Sequence, residues 1–72
     1  MLELNLIGLN CPIPVLRTKK FLANLDSGVQ VSITTSDPAS VQDLQDFCAK
    51  TGNQLIQQTV NNNQITTIIQ RR

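Results

Sequence analysis

Gly8-Leu9-Asn10-Cys11-Pro12-Ile13-Pro14 is the stretch on which the fold turns. Upstream, Leu2, Leu4 and Leu6 alternate with Glu3 and Asn5, the period-two pattern of a strand covered on one face. Gly8 punctuates that strand, and a helical pattern begins around Pro12 to Pro14. Proline is tolerated in the first helical turn, because the N–H it lacks would have no intrahelical partner there. Cys11 therefore stands where a strand gives way to a helix. A thiol at that junction is expected to meet free backbone N–H groups and the positive end of the helix dipole. Both favour the thiolate, the nucleophilic form.

Downstream, Val15, Thr18, Leu22 and Leu25 fall on one helical stripe, widened by Leu16 and Ala23. Arg17, Lys20 and Asn24 lie opposite, with Lys19 near the margin. Asp26-Ser27-Gly28 ends the helix. Val29, Val31, Ile33 and Thr35 then alternate with Gln30, Ser32 and Thr34 as a half-buried strand. Ser36-Asp37-Pro38 breaks it, and Ser40 with Asp43 resembles a capping box at the start of a second helix. Val41, Leu44, Phe47 and Cys48 form that helix's apolar stripe, which stops near Gly52. Residues 54–60 and 64–70 read as two strands joined through Asn61-Asn62-Asn63. Ile65, Thr67 and Ile69 keep one face of the last strand, whereas Leu55 and Ile56 point to opposite faces of the third.

The order is β-α-β-α-β-β over a single domain, residues 1–72. A strand, helix and strand at this spacing imply a right-handed crossover and a parallel pair, and the last two strands suit an antiparallel hairpin. The predicted fold is an α/β two-layer sandwich: a four-stranded mixed sheet with both helices on one face. Strand order stays open.

Composition narrows the chemistry. Seventy-two residues give a small core. Two cysteines and no histidine are too few ligands for a structural zinc site, and a Cys11–Cys48 bridge is a poor match to a secreted disulfide framework. No apolar run reaches the length of a membrane span and no leader pattern is seen, so a cytoplasmic protein with reduced thiols and no membrane insertion is expected. A net charge of +1 and only two aromatics, Phe21 and Phe47, argue against direct, tight nucleic-acid binding. No Cys-x-x-Cys is present for a dithiol mechanism. What remains is a protein that holds or passes a group.

Each candidate residue has two readings. Cys11 is either a small hydrophobe at a strand end or a reactive thiol, and its place outside both apolar stripes favours the second. Cys48, inside a stripe, favours inert packing. Pro12 and Pro14 shape the helix start and stiffen the turn that displays the sulfur. Arg17, Lys19 and Lys20 form a basic cluster that is either a solvated helix face or a docking patch for an acidic protein or a phosphate-bearing substrate. Asp37, before Pro38, reads as a turn residue, and Arg71 and Arg72 as a solvated terminus.

Gly8-Leu9-x-Cys11-Pro12-x-Pro14-Val15-Leu16, followed by Thr18-Lys19-Lys20, Gly28, Asp37-Pro38 and Phe47-Cys48, resembles the TusA/SirA-like family of small sulfur-carrier proteins. The resemblance runs from about Leu4 to Ile69. It implies a two-layer sandwich of the same element order, and a Cys11 that accepts sulfane sulfur as a persulfide and passes it to a partner's cysteine. It further implies a donor such as a cysteine desulfurase or a rhodanese, an acceptor such as a DsrE-like protein, and no cofactor. Family relays serve 2-thiolation of the tRNA wobble uridine, sulfur oxidation, thiosulfate uptake, molybdenum-cofactor synthesis or selenium metabolism. Members commonly carry Asp where this chain has Asn5, and Arg or Thr where it has Ile7. Two rivals from other classes stand beside the carrier: a redox sensor in which Cys11 is oxidised, and an interaction domain whose thiol plays no part.

Overall fold

In the computed structural model, which describes residues Met1–Arg72, the alternating leucines become β1 (Leu2–Leu6) and the segment after Pro12 becomes α1 (Ile13–Ala23). They are followed by β2 (Gln30–Thr35), α2 (Ser40–Thr51), β3 (Gln54–Asn61) and β4 (Gln64–Gln70). The four strands form one mixed sheet in the order β1-β2-β4-β3. β1 runs parallel to β2, while β4 pairs antiparallel with both β2 and β3. The last strand thus enters the middle of the sheet, which explains its strict alternation: Ile65, Thr67 and Ile69 are buried on one face.

Both helices cover that face. The core joins Leu6, Val31, Ile33 and Ile69 of the sheet to Leu22 of α1 and Leu44, Phe47 and Cys48 of α2. Fully burying each such aliphatic side chain contributes roughly 1.5–3 kcal/mol. On α1 the buried positions are Pro14, Thr18 and Leu22, at i, i+4 and i+8, with Val15, Phe21 and Leu25 partly buried beside them. The sequence stripe was therefore widened on the wrong side. Leu16 is 55% exposed and Ala23 is exposed, because the helix rolls toward Pro14 and Phe21. The Thr18 hydroxyl has no hydrogen-bond partner inside this face.

Two local features account for what the pattern left ambiguous. A bulge sets Ile56 between Leu55, which pairs with Ile69, and Gln57, which pairs with Ile68. The extra residue reverses the alternation. It aims Gln58 toward α2, where its amide donates to the Val41 carbonyl at 3.2 Å and to Thr67 Oγ1 at 3.1 Å. At the other end of α2, Gly52 adopts φ 81° and donates to the Cys48 carbonyl at 2.9 Å. That left-handed closure favours glycine. The remaining face of the sheet is uncovered and polar, with Gln54, Gln70 and Gln30 in one cross-strand row and Thr59, Thr66, Thr34 and Asn5 in another.

Arg71 is not the solvated terminus expected of it. Its Nε donates to the Leu22 carbonyl at 2.8 Å, capping the end of α1.

Candidate functional site

The two loops that leave the carboxyl ends of the parallel strands lie side by side, and the site is built from them. In open α/β sheets, that end of the strands is where ligands bind. Gly8, at φ 89°, turns the chain out of β1. Its N–H donates to Ser36 Oγ at 2.8 Å, and the Cys11 N–H donates to Asp37 Oδ2 at 2.7 Å. The other carboxylate oxygen of Asp37 accepts the Ala39 N–H at 3.0 Å. One side chain therefore ties the Cys11 loop to the start of α2. These two N–H groups pull the Asp37 carboxyl below its ordinary value. Its folded value lies below its unfolded one, so the tie is fully stabilising above about pH 4 and is lost as pH falls through the folded value.

The capping box predicted from Ser40 and Asp43 does not form. Ala39 occupies the cap position without a side-chain cap. Ser40 Oγ instead donates to the Asp37 carbonyl at 2.7 Å and accepts from the Thr35 hydroxyl. Asp37 supplies the cap-like contact, and Asp43 lines the cleft that Cys11 also lines.

Cys11 is exposed and Cys48 buried, and both thiols are free. The Cys11–Pro12 peptide is cis. Cys11, Pro12, Val15, Leu16 and Lys19 line one wall of an open cleft of about 450 Å³, with Asp43, Asp46, Phe47, Lys50 and Thr51 of α2 opposite. No three metal-ligating side chains converge there or elsewhere.

The electrostatics reverse the sequence expectation of a favoured thiolate. The nearby Asp43 carboxylate raises the Cys11 pKa above its ordinary value, followed by desolvation and by the charge of Asp37. The helix start cannot offset this, because it offers few donors. Pro12 and Pro14 have no N–H, the Ile13 N–H is taken by the Asn10 carbonyl at 2.9 Å, and the Cys11 N–H is taken by Asp37. The prolines that begin the helix also remove the groups that would have held an anion.

The remaining expected site residues separate. Pro12 is exposed beside Cys11, whereas Pro14 is buried and anchors the first turn of α1 in the core. Lys19 faces the Cys11 cleft. Arg17 and Lys20 lie on the other flank of α1 with Leu4, Phe21 and Asn24. The basic cluster is thus two surfaces, as a 100° step per residue requires: positions 17 and 20 share a side and position 19 does not. Ser36, Asp37 and Asp43 were missed as site residues. Asp37-Pro38 read as a turn and as part of the family pattern without a site role, and no local pattern joins Asp43 to a cysteine on another element.

The family model described as Sulfurtransferase TusA matches residues 2–71. The sulfur carrier protein TusA of Allochromatium vinosum is 46% identical over 55 residues, covering 76% of this chain and 72% of that protein. A sulfur carrier protein TusA of Pseudomonas putida is 36% identical over 55 residues, covering 76% and 69%. The crystal structure of a SirA-like protein from Desulfitobacterium hafniense superposes with a TM-score of 0.84 at 33% identity, covering 97% of this chain and 96% of that one.

Proposed function

The chain belongs to the TusA sulfurtransferase family, and on that premise we propose that it is a sulfur carrier whose Cys11 takes up sulfane sulfur as a persulfide and passes it to a partner protein. The observation that carries the reading is the exposure of Cys11 on a loop pinned by Ser36 and Asp37, while Cys48 is enclosed in the core. A carrier needs one thiol that reaches into another protein, held on a short and ordered loop.

The chemistry is thiol–persulfide exchange. Cys11 attacks the outer sulfur of a donor persulfide, and the donor leaves as a thiol. An acceptor thiolate then attacks the sulfur carried on Cys11 and regenerates the thiol. The donor is a protein that presents a persulfide, a cysteine desulfurase or a rhodanese. The acceptor is a second protein with an accessible cysteine, of the DsrE-like kind or another. The partners set the pathway, tRNA thiolation among them, and the carrier works in the cytoplasm.

Intact mass spectrometry tests the reading. After incubation with a cysteine desulfurase and cysteine, the chain gains roughly 32 Da, one sulfur, which a reductant removes and Cys11→Ser abolishes. Loading that survives in Cys11→Ser would remove Cys11 from the mechanism. Absence of loading from both desulfurase and rhodanese donors would remove the carrier role.

A further inference from the structure

The sheet has two edges, and only one is guarded. β1 is five residues long and carries Glu3, and short, charged edge strands resist pairing with another chain. β3 is eight residues long and has neither a charge nor a proline. No charged residue occurs from Thr51 to Gln70, so nothing in the hairpin repels a like strand. β3 pairs with β4 on one side and with no strand on the other. The bulge at Ile56 distorts the first half of this edge and leaves residues 57–61 in regular register with β4. The hairpin closes through a two-residue turn, Asn62-Asn63, with Asn62 at φ 56°. Asn61 and Gln64 are therefore a hydrogen-bonded pair, and so by alternation are Thr59 with Thr66 and Gln57 with Ile68. Gln58 and Val60 lie between them and direct their N–H and C=O groups away from β4. No loop backbone bonds to those groups, and the contacts of Gln58 with Gln45, Val41 and Thr67 are made by its side-chain amide.

We propose that a second copy of this chain pairs with the β3 edge, antiparallel about a two-fold axis at Thr59, to form a weak dimer with one continuous eight-stranded sheet. In that register Gln58 of each copy stands opposite Val60 of the other, and their outward N–H and C=O groups form four backbone hydrogen bonds. Thr59 meets its symmetry mate at the closer, non-hydrogen-bonded spacing, where Thr–Thr pairs are favourable. The cross-strand row of Thr59, Thr66 and Thr34 thereby continues from one copy into the next. Gln57 stands opposite Asn61, amide against amide. Val60, 63% exposed in the single chain, packs on the aliphatic stem of Gln58, whose amide is anchored to Val41 and Thr67. A single strand edge buries less than the about 1,200 Å² of stable complexes, which places the dissociation constant at roughly 0.1–1 mM. Cys11 follows β1, the opposite edge of the sheet. Both thiols therefore stay at the outer ends of the dimer, roughly 30 Å apart and open to other proteins.

Sedimentation velocity of the full chain, from about 20 μM to about 2 mM, tests the pairing. The weight-average mass should climb from monomer toward dimer across that range. Thr59→Lys sets two like charges directly opposite each other and should weaken association about tenfold or more. Val60→Pro removes an N–H that the single chain does not use and should act in the same direction. Glu3→Lys, on the other edge, should leave association unchanged. Amide hydrogen exchange reads the register in the wild-type chain without any variant. The Gln58 and Val60 amides should gain several-fold protection between the lowest and highest concentrations, while Thr59, bonded to β4 in both forms, changes little. A chain that stays monomeric throughout overturns the proposal. So do dimers indifferent to Thr59→Lys, dimers weakened by Glu3→Lys, or protection that rises elsewhere than at Gln58 and Val60. Species larger than a dimer would mean open-ended stacking in place of a closed two-fold pair, and they overturn it as well.

Discussion

Cys11 and Cys48 are the same side chain under opposite regimes, and both thiols are shifted the same way. Burial among apolar neighbours raises Cys48. Cys11 is exposed, and nearby carboxylates raise it. Shift direction alone therefore does not separate an inert cysteine from a working one; the cause does. Desolvation in the core persists for as long as the chain is folded. A carboxylate at the surface acts only while it faces the thiol, so a docking partner can alter its effect. At Cys11, therefore, contact with another protein can change what shifts the thiol; at Cys48 it cannot.

The comparison breaks most readily at Cys48. Cys48→Ser should destabilise the fold by about 1–3 kcal/mol by burying a hydroxyl without a partner, measured by urea unfolding, while sulfur loading at Cys11 stays intact. In the same chain, native alkylation should modify one cysteine and alkylation in guanidinium both. Two modifications under native conditions would show that Cys48 is not enclosed. A smaller effect is expected at Thr18, a polar group as buried as Cys48 but without a partner for its hydroxyl. Thr18→Val should stabilise by about 1 kcal/mol, raising the melting temperature by about 4–8 °C in a domain of this size; a loss of stability would mean that the hydroxyl is bonded. The smallest effect sharpens the Cys11 side. Lys19→Glu should slow charging by a desulfurase roughly twofold to fivefold at low salt, and Lys20→Glu should leave it unchanged, both differences fading at high salt. Equal slowing by both would rejoin the two basic surfaces into one.

The element order and the inner faces of β2 and β4 were legible because a sheet covered on one side writes its burial as alternation. Val31, Ile33 and Thr35 and then Ile65, Thr67 and Ile69 are all buried as that pattern predicts. Strand order was not legible, because nothing in a short antiparallel hairpin says which of its strands enters the sheet. The phase of β3 was hidden by a single bulged residue, Ile56. On α1, apolar Leu16 outranked Pro14 and Phe21 in a pattern that scores hydrophobicity without knowing where the helix touches the sheet.

The exposed placement of Cys11 between β1 and α1 was legible from the strand-to-helix junction and the two prolines, but its electrostatics were not. Asp37 and Asp43 lie 26 and 32 positions away in sequence, and only the side-by-side placement of β1 and β2 brings them to the loop and cleft of Cys11. The local expectation was also inverted by the prolines themselves, which start the helix without supplying an N–H.

Asp37 has a mechanical consequence. One carboxylate is the tie-rod between the loop that bears Cys11 and the first residues of α2. Any displacement of Cys11 is felt at the start of α2. The position of the Cys11 loop and the start of α2 are thereby geared together through a single side chain. Acid slackens this linkage by protonating Asp37.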